Sequence, residues 1–228
     1  FTIDTSKIEE KITKKTKAII PVHLFGHPVE MDKIVDICKN YNLSLIEDCA
    51  QAHFSKWRSK NVGTFGDAGT FSFFPGKNLG AYGDAGCIIT NNNKLAERMR
   101  MYSNHGQLQK HAHEFEGINS RMDGIQASIL SVKLNHISNW TKLRKEKAER
   151  YSELLSVCNE ISTPIINEHA EHVFHLYVIR TPYREKLIKY LSKKGISTGI
   201  HYPKALPFLN AYKSLNYDSK DFPVAYEY

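Results

Sequence analysis

The sequence predicts an α/β protein with a mainly parallel sheet flanked by helices, followed by part of a smaller α+β domain. Two features support this prediction. In the first half, short apolar runs of strand length alternate with amphipathic stretches, a pattern typical of βαβ units and a parallel sheet. Beyond residue 120, long helical segments dominate. We therefore expect a large domain over residues 1–140, and a connecting helix with a small domain over residues 141–228.

The elements of the first half follow from the spacing of its apolar residues. Four apolar runs predict buried strands over residues 17–25, 43–48, 69–74 and 85–90. Near-helical spacing predicts helices over residues 29–41 and 93–103. The strand over 43–48 ends in a carboxylate, Asp48, which makes its carboxyl end a candidate ligand site.

In the second half, charged and apolar residues alternate at helical spacing. The pattern predicts helices over residues 123–137, 140–155 and 184–194, and strands over residues 173–180 and 196–200. Gly195 is the expected stop of the third helix.

Composition excludes several classes of protein. Of the 228 residues 41% are hydrophobic and 24% charged, which excludes a chain that is mainly disordered. No apolar run approaches the roughly 20 residues that cross a bilayer, so no membrane span is expected. The four cysteines are widely spaced, without CxxC or zinc-ligand spacing. A reduced, cytoplasmic location without a bound metal fits this pattern best.

The net charge of +7 is modest and fits either nucleic acid or small anionic ligands. The lysines are spread along helical stretches, as on solvated faces. Nucleic-acid binding is disfavoured because the aromatic residues fall inside predicted strands.

Two familiar phosphate-binding motifs are absent. Gly76 and Lys77 form a Gly-Lys pair, but a P-loop would require glycine where Phe71 stands. The repeated glycines at residues 63–69 and 80–86 have the spacing GxxGxxG, not the dinucleotide GxGxxG. We interpret this repeated pattern as two similar turns, each of which leads into a strand.

Asp48 and Lys77 each allow a structural and a functional interpretation. Asp48 could be an exposed turn or N-cap residue, or the partner of a protonated ring nitrogen. Lys77 could lie on the surface, or be desolvated among aromatic residues so that its amine attacks a carbonyl. With Gln51 and Ser72 nearby, the functional interpretations together suggest pyridoxal phosphate, which needs an amine, a carboxylate for its ring nitrogen and hydroxyls for its phosphate.

Several long motifs, in the right order, resemble the DegT/StrS family of sugar aminotransferases. They run from near one end of the sequence to the other: Ile19-Ile-Pro-Val-His-Leu-Phe-Gly-His-Pro28, Ile46-Glu-Asp-Cys-Ala-Gln-Ala-His53, residues 62–86 around Lys77, Asn104-His-Gly106, Asn119-Ser-Arg-Met-Asp-Gly-Ile-Gln126, Gly199-Ile-His-Tyr-Pro203 and Asp221-Phe-Pro-Val-Ala225. Such a combination is far more specific than any one of its motifs.

The resemblance implies fold type I, the aspartate aminotransferase type, in a homodimer whose active sites lie at the subunit interface. It implies that Lys77 forms the Schiff base and shuttles protons, that Asp48 holds the pyridine nitrogen, that Gln51 lies at the ring and that Ser72 contacts the phosphate. Asn119 would reach the phosphate of the partner subunit's cofactor. Relative to the family, N-terminal and C-terminal parts are absent, so we expect an internal piece of a longer chain.

Three histidines, His53, His105 and His201, either lie near a nucleotide sugar or are structural. The family implies transfer of an amino group, with glutamate as donor, to a nucleotide-linked keto sugar, for lipopolysaccharide, O-antigen or related amino sugars. Some relatives carry histidine in place of the lysine and become dehydratases, so Lys77 favours transamination.

Three alternatives stay open. One is a fold-type-I enzyme acting on amino acids. Another is a catalytically inert fragment. The third is a regulatory or interaction protein that retains the fold.

Overall fold

The computed structural model describes residues 1–227, which form two compact units. The first contains Phe1–Cys158 with Thr163–Ile179, and the second contains Asn159–Ser162 and the chain from Arg180 onward. The predicted division into residues 1–140 and 141–228 concerns the domains of the whole protein, and it stays a prediction.

The described residues contain seven short strands, all in the first unit, and six α-helices. The strands are β1 (Ala18–Ile19), β2 (Ser44–Asp48), β3 (Lys56–Trp57), β4 (Lys60–Asn61), β5 (Ala68–Ser72), β6 (Gly86–Ile89) and β7 (Ala170–Glu171). The helices are α1 (Met31–Tyr41), α2 (Asn93–Tyr102), α3 (Gly124–Leu134), α4 (Ile137–Leu155), α5 (Arg184–Lys193) and α6 (Pro223–Glu227). In the part of the chain so described, no helix has the length and apolarity needed to cross a lipid bilayer.

The main sheet has the order β1-β2-β5-β6. Its first three strands are parallel, with Asp48 paired with Thr70 across β2 and β5. The fourth, β6, is antiparallel to β5 and pairs Gly86 with Ser72. A second, antiparallel sheet has the order β4-β3-β7. The carboxyl ends of β2 and β5 therefore lie side by side and bring Asp48 and Ser72 to one edge of the main sheet.

Helix α1 forms where the sequence predicts it because its apolar residues recur on one face. Met31, Ile34 and Ile37 are buried and pack in one core with Leu45 of β2. The helix ends at Asn42, whose left-handed backbone (φ 51°) lets its amide donate to the carbonyls of the last turn.

The two predicted strands of the second half are wrong. In residues 173–180, the backbone amides of Val173 and Leu176 donate to the carbonyls of Gly26 and Phe25, so these groups bond a loop instead of a strand. Residues 196–200 follow α5, where the Ile196 amide donates back to Leu191, and this stretch contains no strand. The first predicted strand is shortened to β1, and the fourth is antiparallel to its neighbour.

Candidate active site

Asp48 is held in place by its own backbone. Its amide donates to the Pro21 carbonyl at 2.9 Å, and its carbonyl accepts from the His23 amide at 3.0 Å. One carboxylate oxygen, Oδ1, accepts from the Ala50 amide at 3.0 Å. The acid is therefore half-buried and fixed in a turn that follows β2.

The fully buried acid of this strand is the preceding residue, Glu47, which sequence reasoning missed. Its carboxylate accepts from the amides of Gly63 (2.6 Å), Phe65 (2.7 Å) and Gly66 (3.0 Å). Burial raises the pKa of Glu47, but hydrogen bonds from His23 and these amides outweigh burial and bring the pKa below its ordinary value. Alternation could have revealed it, since Glu47 shares a face of β2 with the buried Leu45.

Glycines are required in the turn that donates these amides. A Cβ on Gly66 would lie 2.3 Å from the Leu45 carbonyl oxygen, and one on Gly69 would lie 2.4 Å from the Gly63 Cα. The GxxGxxG spacing thus serves close backbone packing of this turn against β2 and β5.

Lys77 follows β5 through a tight turn. Its amide donates to the Phe74 carbonyl at 2.9 Å, so the chain folds back after the Pro-Gly pair. Burial lowers the pKa of the half-buried Lys77 ammonium, and the negative charge of Asp48 opposes that decrease. The acid and the amine therefore interact electrostatically, although 28 residues separate them in sequence. Lowering its pKa makes this amine a better nucleophile than a surface lysine.

His53 lies against the same strand. Its ring is 2% exposed and lies 5.6 Å from the Phe71 ring and 5.7 Å from the Phe73 ring. Neither ring nitrogen has a hydrogen-bond partner among the described residues. Burial, together with the smaller effect of the Lys77 charge, lowers the pKa of His53 to about 4, and the Ser72 backbone partly opposes this decrease. The ring is therefore neutral at pH 7, and its two buried nitrogens lie among the aromatic residues that precede Lys77.

Gln51 is oriented by a backbone group. Its Oε1 accepts from the Phe25 amide at 2.6 Å, and Phe25 has a left-handed backbone (φ 59°). Because Oε1 takes this bond, the donor end of the amide is turned away from Phe25. Ser72 ends β5, and its hydroxyl oxygen accepts from the Phe74 amide at 3.3 Å.

The three remaining predicted residues are exposed. Asn119 is exposed and forms an isolated antiparallel bridge with Asn104. His105 is exposed next to that bridge, and its carbonyl contacts His113 Nδ1 at 2.8 Å. His201 belongs to the second unit, is exposed, and contacts the Tyr202 ring at 5.3 Å.

One cluster has the donor types of a metal site. His23, Glu47 and Cys49 are buried, and their donor atoms lie within 4.8 Å of one another. His23 Nδ1 accepts from the Val29 amide at 3.0 Å, and its Nε2 lies 3.3 Å from Glu47. Burial raises the pKa of the Cys49 thiol, which disfavours the thiolate that a metal would need. Hydrogen bonds already occupy the donor atoms of His23 and Glu47, and we interpret the cluster as a structural network.

The residues near Asp48 fit pyridoxal phosphate. A fixed carboxylate suits the protonated ring nitrogen, an amine with a lowered pKa suits the aldehyde, and the Ser72 hydroxyl suits the phosphate. The unpartnered nitrogens of His53 mark a buried polar surface at the same edge of the sheet. Fold and site together define a class, the transferases of fold type I that use this cofactor.

Within that class, the chain belongs to the DegT/DnrJ/EryC1/StrS aminotransferase family, whose model matches residues 1–228. This confirms the resemblance and the predicted fold class. The family depends on pyridoxal phosphate, so the predicted cofactor is confirmed at the level of the family.

Three similar proteins illustrate the range of the family. The chain is 46% identical to a "Pleiotropic regulatory protein" of Geobacillus stearothermophilus, and 46% identical to the dTDP-3-amino-3,6-dideoxy-alpha-D-galactopyranose transaminase of Aneurinibacillus thermoaerophilus. Both alignments cover 99% of this chain and 61% of the relative. The solved structure of DesV from S. venezuelae, in complex with a ketimine intermediate, superposes with a TM-score of 0.95 at 38% identity, covering 98% of this chain and 60% of DesV. The chain thus spans about three fifths of the length of these relatives.

Proposed function

We propose that the full-length protein is a pyridoxal-phosphate-dependent aminotransferase that moves an amino group from glutamate to a keto sugar attached to a nucleotide. One observation carries the proposal. Asp48 ends β2, the half-buried Lys77 follows the neighbouring parallel strand β5, and burial lowers the pKa of Lys77 against the opposing charge of Asp48. The amine suits the aldehyde of the cofactor, and the acid suits its pyridine nitrogen.

Each residue has a distinct task in this proposal. When bound, the cofactor supplies an electron sink that makes a proton on the donor carbon acidic. Lys77 Nζ holds the cofactor between turnovers and then carries that proton from one carbon to the other. The Asp48 carboxylate keeps the ring nitrogen protonated, the Gln51 amide orients the ring from its side, and the Ser72 hydroxyl binds the phosphate.

A homodimer with shared sites belongs to the proposal. Helix α3 is apolar on both its buried and its outward sides, and Ile125 and Val132 are 74% and 64% exposed. An apolar surface of this kind is typical of an interface with another chain. Asn119, exposed five residues before α3, would bind the phosphate of the partner's cofactor.

The substrate class follows from the relatives. The Aneurinibacillus relative is a transaminase for a dTDP-linked amino sugar, and we extend a nucleotide-linked sugar to this protein. His53, His105 and His201 are the candidate contacts for that sugar nucleotide. Its product would serve the synthesis of surface polysaccharides such as lipopolysaccharide O-antigen. The free thiols of the four cysteines favour the cytoplasm.

The test is covalent attachment at Lys77 in the full-length protein. Absorbance is measured with added pyridoxal phosphate before and after borohydride reduction, and the modified lysine is identified by mass spectrometry. We expect one cofactor on Lys77 and none in Lys77→Ala, whereas Lys94→Ala, at an exposed lysine of α2, retains it. Absence of cofactor on Lys77 in the unmutated protein would overturn the assignment.

A regulatory or interaction function is the second candidate, favoured by the name of the Geobacillus relative. Turnover of glutamate with a panel of keto sugar nucleotides separates the two candidates. Aminotransfer that is lost in Lys77→Ala supports the enzyme. No turnover on any sugar, together with unchanged partner binding by Lys77→Ala, supports the regulatory protein.

A further inference from the structure

The residue after Lys77 is tied to a distant part of the first unit. Asn78 is 5% exposed, and its Nδ2 donates to the Val173 carbonyl at 3.1 Å. Its Oδ1 lies 3.3 Å from Nδ1 of His175. Both ends of this side-chain amide therefore contact one short segment, residues 173–175, nearly a hundred positions further along the chain.

Residues 173–175 are themselves held in place by hydrogen bonds. The Val173 amide donates to the Gly26 carbonyl at 3.0 Å. The Arg144 guanidinium of α4 donates to the carbonyls of Phe174 at 3.1 Å and His175 at 3.3 Å. Charged donors make stronger hydrogen bonds than neutral ones, so the carbonyls facing Arg144 are held firmly.

The chain after Asn78 is held as well. Leu79 and Ala81 are buried in one core with Leu130 and Ile137. The Gly80 carbonyl accepts from Lys133 Nζ of α3 at 2.6 Å. Lys77 thus lies between the turn in which its amide bonds the Phe74 carbonyl and a loop that packs on α3 and α4. Asn78 is the residue next to Lys77 whose side chain is held by hydrogen bonds.

We propose that Asn78 is a positioning residue for Lys77: by bonding Val173 and His175 with both ends of its amide, it fixes the backbone beside the lysine and holds the lysine side chain half-buried. This inference deepens the proposed function and rests on it for its catalytic meaning. Lysine has four rotatable bonds, so its amine is placed accurately only if its backbone is fixed. A displacement of ~1 Å at a reacting group costs on the order of 100-fold in rate.

The first test needs no cofactor. In the full-length protein, reductive methylation of Lys77 is followed against pH by mass spectrometry, with the exposed Lys94 as internal reference. If Asn78 holds Lys77 half-buried, Asn78→Ala and His175→Phe raise the labelling midpoint of Lys77 toward that of Lys94, by about half a pH unit or more.

Two controls separate positioning from loss of stability. Ile34→Ala removes a buried side chain from the α1 core and should lower stability without moving the Lys77 midpoint. Asn135→Ala removes an asparagine whose Nδ2 donates to the Ser131 carbonyl at the end of α3, and it should change neither. An unchanged Lys77 midpoint in Asn78→Ala, or an equal shift in Ile34→Ala, overturns the inference.

A second readout is kinetic. With cofactor, we expect Asn78→Ala to lower kcat at least about tenfold with little change in KM for glutamate, because the lysine acts after the donor binds. A rise in KM with unchanged kcat contradicts a positioning role. If the unmutated protein attaches no cofactor, the proposed function fails, whereas the labelling midpoints still decide whether Asn78 positions Lys77.

Discussion

Nε2 of His23 lies 3.3 Å from Oε2 of Glu47, and neither side chain is exposed. Because His23 Nδ1 accepts from the Val29 amide, the ring proton is on Nε2 and is donated to the carboxylate. The same carboxylate accepts three backbone amides from residues 63–66. One buried acid thereby joins β2 to the glycine turn, immediately before the Asp48 that the proposed cofactor needs.

Replacing this acid should cost much of the stability of the protein. Glu47→Gln leaves one acceptor oxygen for three amides and places an NH₂ group against donors. We expect a loss of ~3 kcal/mol in the free energy of unfolding, measured with urea, because buried donors are left without acceptors. Glu171→Gln is the matched control, because the Glu171 side chain is 44% exposed and forms its ion pairs with the partly exposed Lys56 and Lys145. Its expected loss is below ~1 kcal/mol, and an equal loss in both variants would contradict the importance of the buried network.

Two buried histidines should make stability depend on pH in a defined window. The pKa of His53 is lowered to about 4 and that of His172 to about 3, chiefly by burial. The charge of Lys77 contributes at His53, and those of His27 and Lys145 contribute at His172. Below pH 6.5, the ordinary histidine pKa, both histidines bind protons in the unfolded chain, whereas in the folded chain they stay neutral until the pH approaches their lowered pKa values. The contribution of these two histidines to the free energy of unfolding is therefore fully present above pH 6.5. It falls as the pH decreases toward 4, by up to ~1.4 kcal/mol per pH unit for each histidine.

Urea unfolding of His53→Phe tests this window. The phenyl ring fills a similar space against Phe71 and Phe73 and binds no proton. The dependence of stability on pH between 6.5 and 4 should then decrease by about one proton. His111→Gln, at an exposed histidine, should leave the dependence unchanged. A slope that His53→Phe does not alter would show that His53 is not the group responsible.

Glycine substitutions should have opposite consequences at two positions. A Cβ on Gly69 would meet the Gly63 backbone at 2.4 Å, so Gly69→Ala forces β5 away from the turn and should cost several kcal/mol. A Cβ on Gly124, in the first turn of α3, meets nothing within 4 Å. Gly124→Ala should be neutral or stabilising by up to ~1 kcal/mol, because alanine favours helices. Thermal unfolding measures both, and equal effects would refute the packing explanation.

Local periodicity predicted the elements whose contacts are local. Helix α1 and strand β2 form where their apolar spacing predicts them, since each buries one face on its neighbour. Residues 173–180 have the same apolar content as a strand, yet the amides of Val173 and Leu176 bond the carbonyls of Gly26 and Phe25. Side-chain pattern encodes which face is buried, but it does not encode which carbonyl a backbone amide will reach.

The candidate site was predictable to the same limited extent. Asp48 follows from the rule that ligands bind at the carboxyl ends of parallel strands, and Lys77 from its aromatic surroundings and the family motifs. Asn78 could not be found in this way, because its partners lie at residues 173–175 and no local pattern links the two segments. Glu47 was missed because an acid is not expected at a core-facing position, and the backbone amides that bind it lie in residues 63–66, which no local pattern links to β2.

The outward surface of α3 gives the last prediction, which concerns assembly. Ile125 and Val132 lie seven residues apart, which places them on one face of the helix. If this face is buried against a second copy, Ile125→Asp or Val132→Asp places a charge in an apolar interface and should shift the full-length protein from dimer to monomer at micromolar concentration. Sedimentation velocity measures the change.

Val157→Asp is its matched control, because Val157 is 82% exposed just beyond the end of α4 and should leave a dimer intact. Because Asn119 is proposed to act on the partner's cofactor, the α3 variants should also lose cofactor affinity together with dimerisation. Dimers that persist in both α3 variants would place the subunit interface elsewhere, and Asn119 would then need another explanation.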